Sequence, residues 1–189
     1  MPSRWFAQVL TVSAILALLS GCIERPIRDG DRHFVVTAAA LEPYGYEMPD
    51  DVARYESLKR TRWFDNTEEL EYEYNATGMA GLPYVYSLTE WHPSKTDACT
   101  SYAAGNIGVG LGGSAIESLD DEFSYGDKSQ YGLMTDDGEV YGIYFAMCHD
   151  KQAFMLMLTG VVFDNGDQFA RFIEPVLANI EARRNVVPD

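Results

Sequence analysis

Apolar and polar positions alternate with period two along much of the chain between residues 55 and 160. That spacing belongs to strands with one buried face. The segments 55–64 (YESLKRTRWF) and 68–76 (EELEYEYNA) flank the turn-like triplet Asp65-Asn66-Thr67 and predict a β-hairpin. Residues 82–92 (LPYVYSLTEWH) predict a further strand, and 33–41 (HFVVTAAAL) a first one. The strongest β signal covers residues 129–164, three runs joined by turns at Asp136-Asp137-Gly138 and His149-Asp150-Lys151. In the middle run Ile143, Phe145 and Met147 share one face, with Tyr144, Ala146 and Cys148 on the other. The third run, AFMLMLTGVV, is apolar on both faces and belongs at the centre of a sheet covered twice.

Two segments carry the helical period instead. Phe169, Phe172, Ile173, Val176, Leu177 and Ile180 follow an i, i+3, i+4, i+7 stripe. They predict a helix over about 167–184, with Asn165 or Asp167 as its cap and Arg183 and Arg184 at its negative end. Pro175 lies inside the stripe and predicts a kink or a restart. Ser94, after Pro93, suits the N-cap of a second helix, with Asp97 three residues on. The expected architecture is α+β: an antiparallel sheet of about five to seven strands packed by helices. The closing order of hairpin, apolar strand and amphipathic helix resembles the end of PsbP-like domains, which are α+β binding modules. That likeness rests on element order, so no functional residue is carried across.

The N-terminus has a different texture. Arg4 precedes an apolar run from Trp5 to Leu19, which fits the core of an export signal and is short for a bilayer span of roughly 20 residues. The run ends in Leu19-Ser20-Gly21-Cys22, which resembles the lipobox of bacterial lipoproteins. The resemblance implies cleavage between Gly21 and Cys22 and a diacylglycerol thioether on the Cys22 sulfur. It divides the chain into a signal peptide (1–21), a short polar tether (22–32) and a single periplasmic α+β domain (33–189). Lipoproteins retained at the inner membrane tend to carry Asp after the cysteine. Ile23 stands there, so the resemblance implies a lipid anchor in the outer membrane, facing the periplasm, in preference to the inner membrane.

With Cys22 assigned to lipid, Cys99 and Cys148 form an even pair in an oxidising compartment and are expected to be a disulfide, two separate buried thiols being the alternative. Closing a loop of that length would stabilise the fold by about 4 kcal/mol in the chain-entropy picture. Nothing resembles Cys-x-x-Cys, so the bridge is read as structural.

Composition narrows the partners. With 47% hydrophobic and 13% aromatic residues the chain is too apolar for disorder. Its formal charge of −15 repels phosphate backbones, which disfavours nucleic acid. The chemistry-bearing residues do not assemble into a motif. Gly108, Gly110 and Gly113 satisfy G-x-G-x-x-G, yet the segment before them reads as helix rather than strand, so no dinucleotide cofactor is expected. His33, His92 and His149 have no metal-ligand spacing, and no acidic cluster follows a calcium-loop pattern, so no metal is expected. Ser114 follows two glycines without a G-x-S-x-G elbow. Tyr72, Tyr74, Tyr84 and Tyr86 fall on neighbouring strands, and an exposed aromatic row there would suit an envelope protein or a glycan. Cross-strand packing is the other reading of the same tyrosines. The sequence thus points to a non-enzymatic, lipid-anchored component of the cell envelope that binds or assembles others. The competing reading is a periplasmic hydrolase in which His92 or His149 meets Ser114 or an aspartate only in the fold.

Overall fold

In the computed structural model the chain is described over residues 22–76, 82–111 and 115–184. Eight strands form one antiparallel sheet: β1 (Cys22–Arg25), β2 (Glu56–Trp63), β3 (Glu68–Asn75), β4 (Tyr84–Trp91), β5 (Ala115–Ser118), β6 (Lys128–Asp136), β7 (Glu139–His149) and β8 (Gln152–Thr159). Their spatial order is β1-β2-β3-β4-β8-β7-β6-β5. Helix α1 (Lys95–Leu111) links β4 to β5, and helix α2 (Gly166–Arg184) ends the described chain. The fold is the expected α+β type, with eight strands in place of five to seven. The two extra strands, β1 and β5, are four-residue edges. No helix among the described residues is long and apolar enough to cross a membrane.

The hairpin of β2 and β3 forms around the expected turn, with Asn66 at φ 72° in it. A left-handed backbone is tolerated by Asn better than by most residues. Both turns of the β6-β7-β8 meander also form where expected, with Asp137 (φ 48°), Gly138 (φ 82°) and Asp150 (φ 52°) in the left-handed region. β8 lies between β4 and β7, the interior position that its apolar faces require. Gly142 marks the closest approach inside this meander: a Cβ there would lie 2.1 Å from the Leu158 carbonyl oxygen.

The inner face of the sheet holds Leu70, Tyr72, Tyr74, Val85, Tyr131, Ile143, Phe145, Met147, Phe154, Leu156 and Leu158, all buried. The predicted stripe of α2 packs onto it: Phe169, Phe172, Ile173, Val176, Leu177 and Ile180 all belong to this core. The α2 cap is Asn165, whose side-chain oxygen accepts the Gln168 N–H at 2.9 Å. α2 continues through Pro175, which sits on the exposed side.

Residues 33–41 form no strand. They lie in two 3-10 helices, Asp31–Phe34 and Ala38–Tyr44, and the extended link between them, which cross the inner face with Val35, Val36, Ala38 and Leu41 buried. Hydrogen bonds that a strand would send to a neighbouring backbone go to side chains of the sheet. Val36 N–H donates to Ser87 Oγ at 2.9 Å, Ala38 N–H to the Tyr72 hydroxyl at 3.0 Å, and the Thr89 hydroxyl donates to the Phe34 carbonyl at 2.5 Å. Segment 22–32, read as a tether, is strand over its first four residues: β1 pairs with β2, placing Cys22 opposite Trp63 and Ile23 opposite Arg62.

The outer face carries α1, which packs on β7 and β8. Ser94 caps it reciprocally with Asp97: the Asp97 N–H reaches Ser94 Oγ at 3.2 Å, and the hydroxyl donates to the carboxylate at 2.6 Å. Cys99 and Cys148 are joined in a disulfide, with Cα atoms 5.2 Å apart. The bridge pins the first turns of α1 to β7, as their places on helix and strand predict.

Candidate functional site

Since α1 packs mainly on β7 and β8 and meets β4 at its border, where Ser101 reaches Glu90, the outer face of β2, β3 and β4 is left largely to polar and half-buried side chains. Register fixes which they are. Lys59 lies opposite Glu71, which lies opposite Leu88. Ser57 faces Glu73, which faces Tyr86, and Thr61 faces Glu69, which faces Glu90. Asn75 faces Tyr84 at one end, and Trp63 stands at the other. The result is a strip of four carboxylates (Glu69, Glu71, Glu73, Glu90) beside Tyr84, Tyr86 and Leu88.

The tyrosine quartet is therefore split. Tyr84 and Tyr86 stand half-buried on the open strip, while Tyr72 and Tyr74 point to the opposite face and are fully buried in the core. Tyr72 serves the fold, donating to Glu56 at 2.9 Å and accepting from Ala38. Period two dictates the split: in β3 the tyrosines alternate with Glu69, Glu71 and Glu73, so one set must face the core.

The strip is electrostatically tense. Burial pushes the Glu69 carboxyl above its ordinary value, and the neighbouring charges of Glu90 and Glu71 push the same way against the hydrogen bond from Trp63 Nε1 at 3.2 Å. The Tyr84 phenol is pushed up to about 12, first by burial and then by Glu73. Tyr86 is raised by burial and by Glu71 and Glu69, and its hydroxyl donates to Glu71 at 3.4 Å. Both phenols stay protonated donors at neutral pH. A hydrogen bond to Glu71 at 3.0 Å raises the Lys59 ammonium, which partly balances that carboxylate.

At the α1 border of the strip lies a small cavity of about 140 Å³, lined by Leu88, Glu90, Ser101, Tyr102, Gly105 and Met155 among others. Ser101 Oγ donates to Glu90 at 2.5 Å, and His92 Nε2 meets the same oxygen at 3.2 Å. His92 Nδ1 lies 3.2 Å from the Thr67 hydroxyl. The serine thus meets a carboxylate and not the imidazole, whereas activation of a nucleophile needs the base in contact with it. His149 is elsewhere, 3.5 Å from Asp127. Ser114 and Gly113 lie outside the described residues, while Gly108 and Gly110 are part of α1. Among the described residues no group of three His, Cys, Asp or Glu side chains could hold a metal ion.

Glu69, Glu71, Glu73, Glu90 and Ser101 were not singled out as site residues by the sequence. Their signal was present in the E-x-E-x-E spacing of β3, which places three carboxylates on one face. Cys22 is half-buried at the sheet edge, on the same side of the sheet as Trp63 and Glu69. No protein-family model matches the chain, and no curated protein or solved structure matches it significantly.

Proposed function

We propose that the chain is a lipid-anchored, non-enzymatic component of the bacterial cell envelope, held in the outer membrane through Cys22 and facing the periplasm. Its binding surface is the open strip of β2–β4, and its partner is a lysine- or arginine-bearing segment of an envelope protein. One observation carries the partner class: four carboxylates share a sheet face with two protonated phenols and only one lysine among them. Cations gain from both groups, through charge and through the ring faces. A neutral glycan would use the tyrosines and leave the carboxylates idle. The lipobox supports the anchor, and the −15 charge supports a basic partner.

Two measurements test this reading. Cells fed labelled palmitate should label the chain, and Cys22→Ser should abolish the label and release the protein from the membrane fraction. Membrane association that survives without label would refute the anchor. Separately, a short lysine-containing peptide should bind the protein and weaken about fivefold on Tyr86→Ala, the value of one cation–π contact near 1 kcal/mol. Glu69→Gln should weaken it further at low salt than at high salt. Equal binding by both variants, or preference for a neutral oligosaccharide over the peptide, would reject the strip as a cation site.

A further inference from the structure

The place of Cys22 in the register has a geometric consequence. Cys22 opposes Trp63 within the β1–β2 ladder, and directly opposed residues lie about 5 Å apart. No flexible residue separates an acyl group on Cys22 from the folded domain. The acyl chains are esters of a glycerol that is thioether-linked to that sulfur, which puts the glycerol at headgroup depth, so the protein surface around Cys22 must lie there as well. That surface is unusually apolar. Phe64, first in the β2–β3 turn, is 73% exposed; Trp63, on the face of Cys22, and Ile23, on the other face of β1 opposite Arg62, are 36% and 48% exposed. Phe64 and Trp63 are the two most exposed aromatic hydrophobes that the described fold presents, and both sit at this corner.

We infer that this corner, formed by Cys22, Ile23, Trp63 and Phe64, docks directly on the bilayer, with the two aromatic rings in the headgroup layer. The occupant is the membrane that holds the anchor, and the inference rests on the acylation of Cys22 proposed above. Indole suits the interface because its ring is apolar and its N–H is polar. Here that N–H is bonded to Glu69 at 3.2 Å, so the ring can enter the layer without leaving a donor bare. Arg62, across from Ile23, has its side chain 42% exposed, and Arg25 closes the same short strand. They oppose Glu24, Asp65 and the Glu69 carboxylate that holds the indole N–H, so both signs of charge meet at the corner and the apolar side chains carry the contact. The remote ends of β2–β4, where Tyr84 stands, then point away from the bilayer and toward a partner.

The test uses the full chain produced in its envelope, purified in acylated form and reconstituted in phosphatidylethanolamine–phosphatidylglycerol vesicles. Brominated acyl chains in those vesicles quench tryptophans that reach the bilayer. Once the signal is cut, the tryptophans are Trp63 and Trp91, and Trp91 lies under the Arg183 guanidinium at 3.7 Å. The expected result is quenching that is mostly lost in Trp63→Phe and restored when Phe64→Trp is added to it. The mass of the Cys22 peptide reports acylation independently. An acylated chain without Trp63-dependent quenching would overturn the docking and leave the anchor standing. A Cys22 peptide without added lipid mass would overturn the anchor, and the docking with it.

Discussion

Truncating Phe169 to alanine is expected to destabilise the domain by about 3–5 kcal/mol, the range for a fully buried phenylalanine. Phe169 is the hub of the inner-face core. Its ring stacks on Tyr131 with centroids 4.4 Å apart and meets Phe123, Phe145 and Phe163 edge-on at 5.1, 5.4 and 5.6 Å. Those partners come from β6, β7 and the loops before β6 and α2, so one ring joins the helix to half the sheet. Removing it deletes dispersion contacts with four aromatic neighbours and leaves a void that a disulfide-braced sheet closes poorly. Such a loss is a large part of the 5–15 kcal/mol that holds an ordinary domain together. Phe169→Leu should cost clearly less, because much of the volume stays. Urea titration reads both: the midpoint should fall with an unchanged slope. A loss below about 1 kcal/mol for Phe169→Ala would mean that α2 docks through its other stripe residues.

Why some of this fold was legible in the sequence and some was not follows from where each segment gets its hydrogen bonds. The hairpin β2–β3, the meander β6–β8 and the α2 stripe each satisfy their backbones locally, so periodicity and turn residues suffice to find them. The α1 cap is similarly local in its logic, a Ser-x-x-Asp pattern, and the Cys99–Cys148 bridge follows from pairing the two of three cysteines that remain when Cys22 is set apart. Residues 33–41 are the contrary case. Val35, Val36 and Thr37 are strand-like by composition, but Pro43 and three successive alanines sit beside them, and the backbone is satisfied by side chains more than thirty residues away. The complementary clue was in β4: Ser87 and Thr89 alternate inward with Val85 and are fully buried. Polar residues on a buried face need partners, and the partner was this segment. β1 and β5 were invisible because four-residue edges of mixed composition show no alternation to detect.

The candidate site divides along the same line. Tyr72, Tyr74, Tyr84 and Tyr86 do not make one row, and the strand pattern itself separates them. In EELEYEYN every other residue is glutamate, so Tyr72 and Tyr74 share the side of Leu70, and the acids form the open side. In YVYSLTEW neither alternating set is wholly polar, and only the pairing of Tyr86 with Glu73 on one side and Met157 on the other assigns its face. The open strip depends on α1 lying over β7 and β8 and reaching β4 only at its border, a tertiary fact that period two does not encode.

The second large effect is expected at Glu68. Its carboxylate accepts from Arg60 at 2.9 Å and from Arg183 at 2.7 Å, joining the sheet to the last turn of α2. The Arg60 side chain is 3% exposed, with Asp31 at 4.0 Å as its further acid, and Arg183 lies over the Trp91 ring at 3.7 Å. Glu68→Gln would leave a buried guanidinium short of its counter-charge, so a loss of about 3 kcal/mol at neutral pH is expected. Burial alone would raise the Glu68 carboxyl, but the hydrogen bond and charge of Arg60, joined by Arg183, hold it below the ordinary value. The unfolded chain therefore takes up the Glu68 proton first as pH falls, and the folded chain only at lower pH. The ion pair's contribution is present above the ordinary glutamate value of about 4.3 and is lost as pH drops through the depressed folded value. Glu68→Gln carries no such proton, so the stability gap between it and the native chain should be full at pH 7 and shrink through the acid limb. Denaturation midpoints of both proteins across that range give the curve. A gap that stays constant into strong acid would show that Glu68 acts by packing rather than by charge.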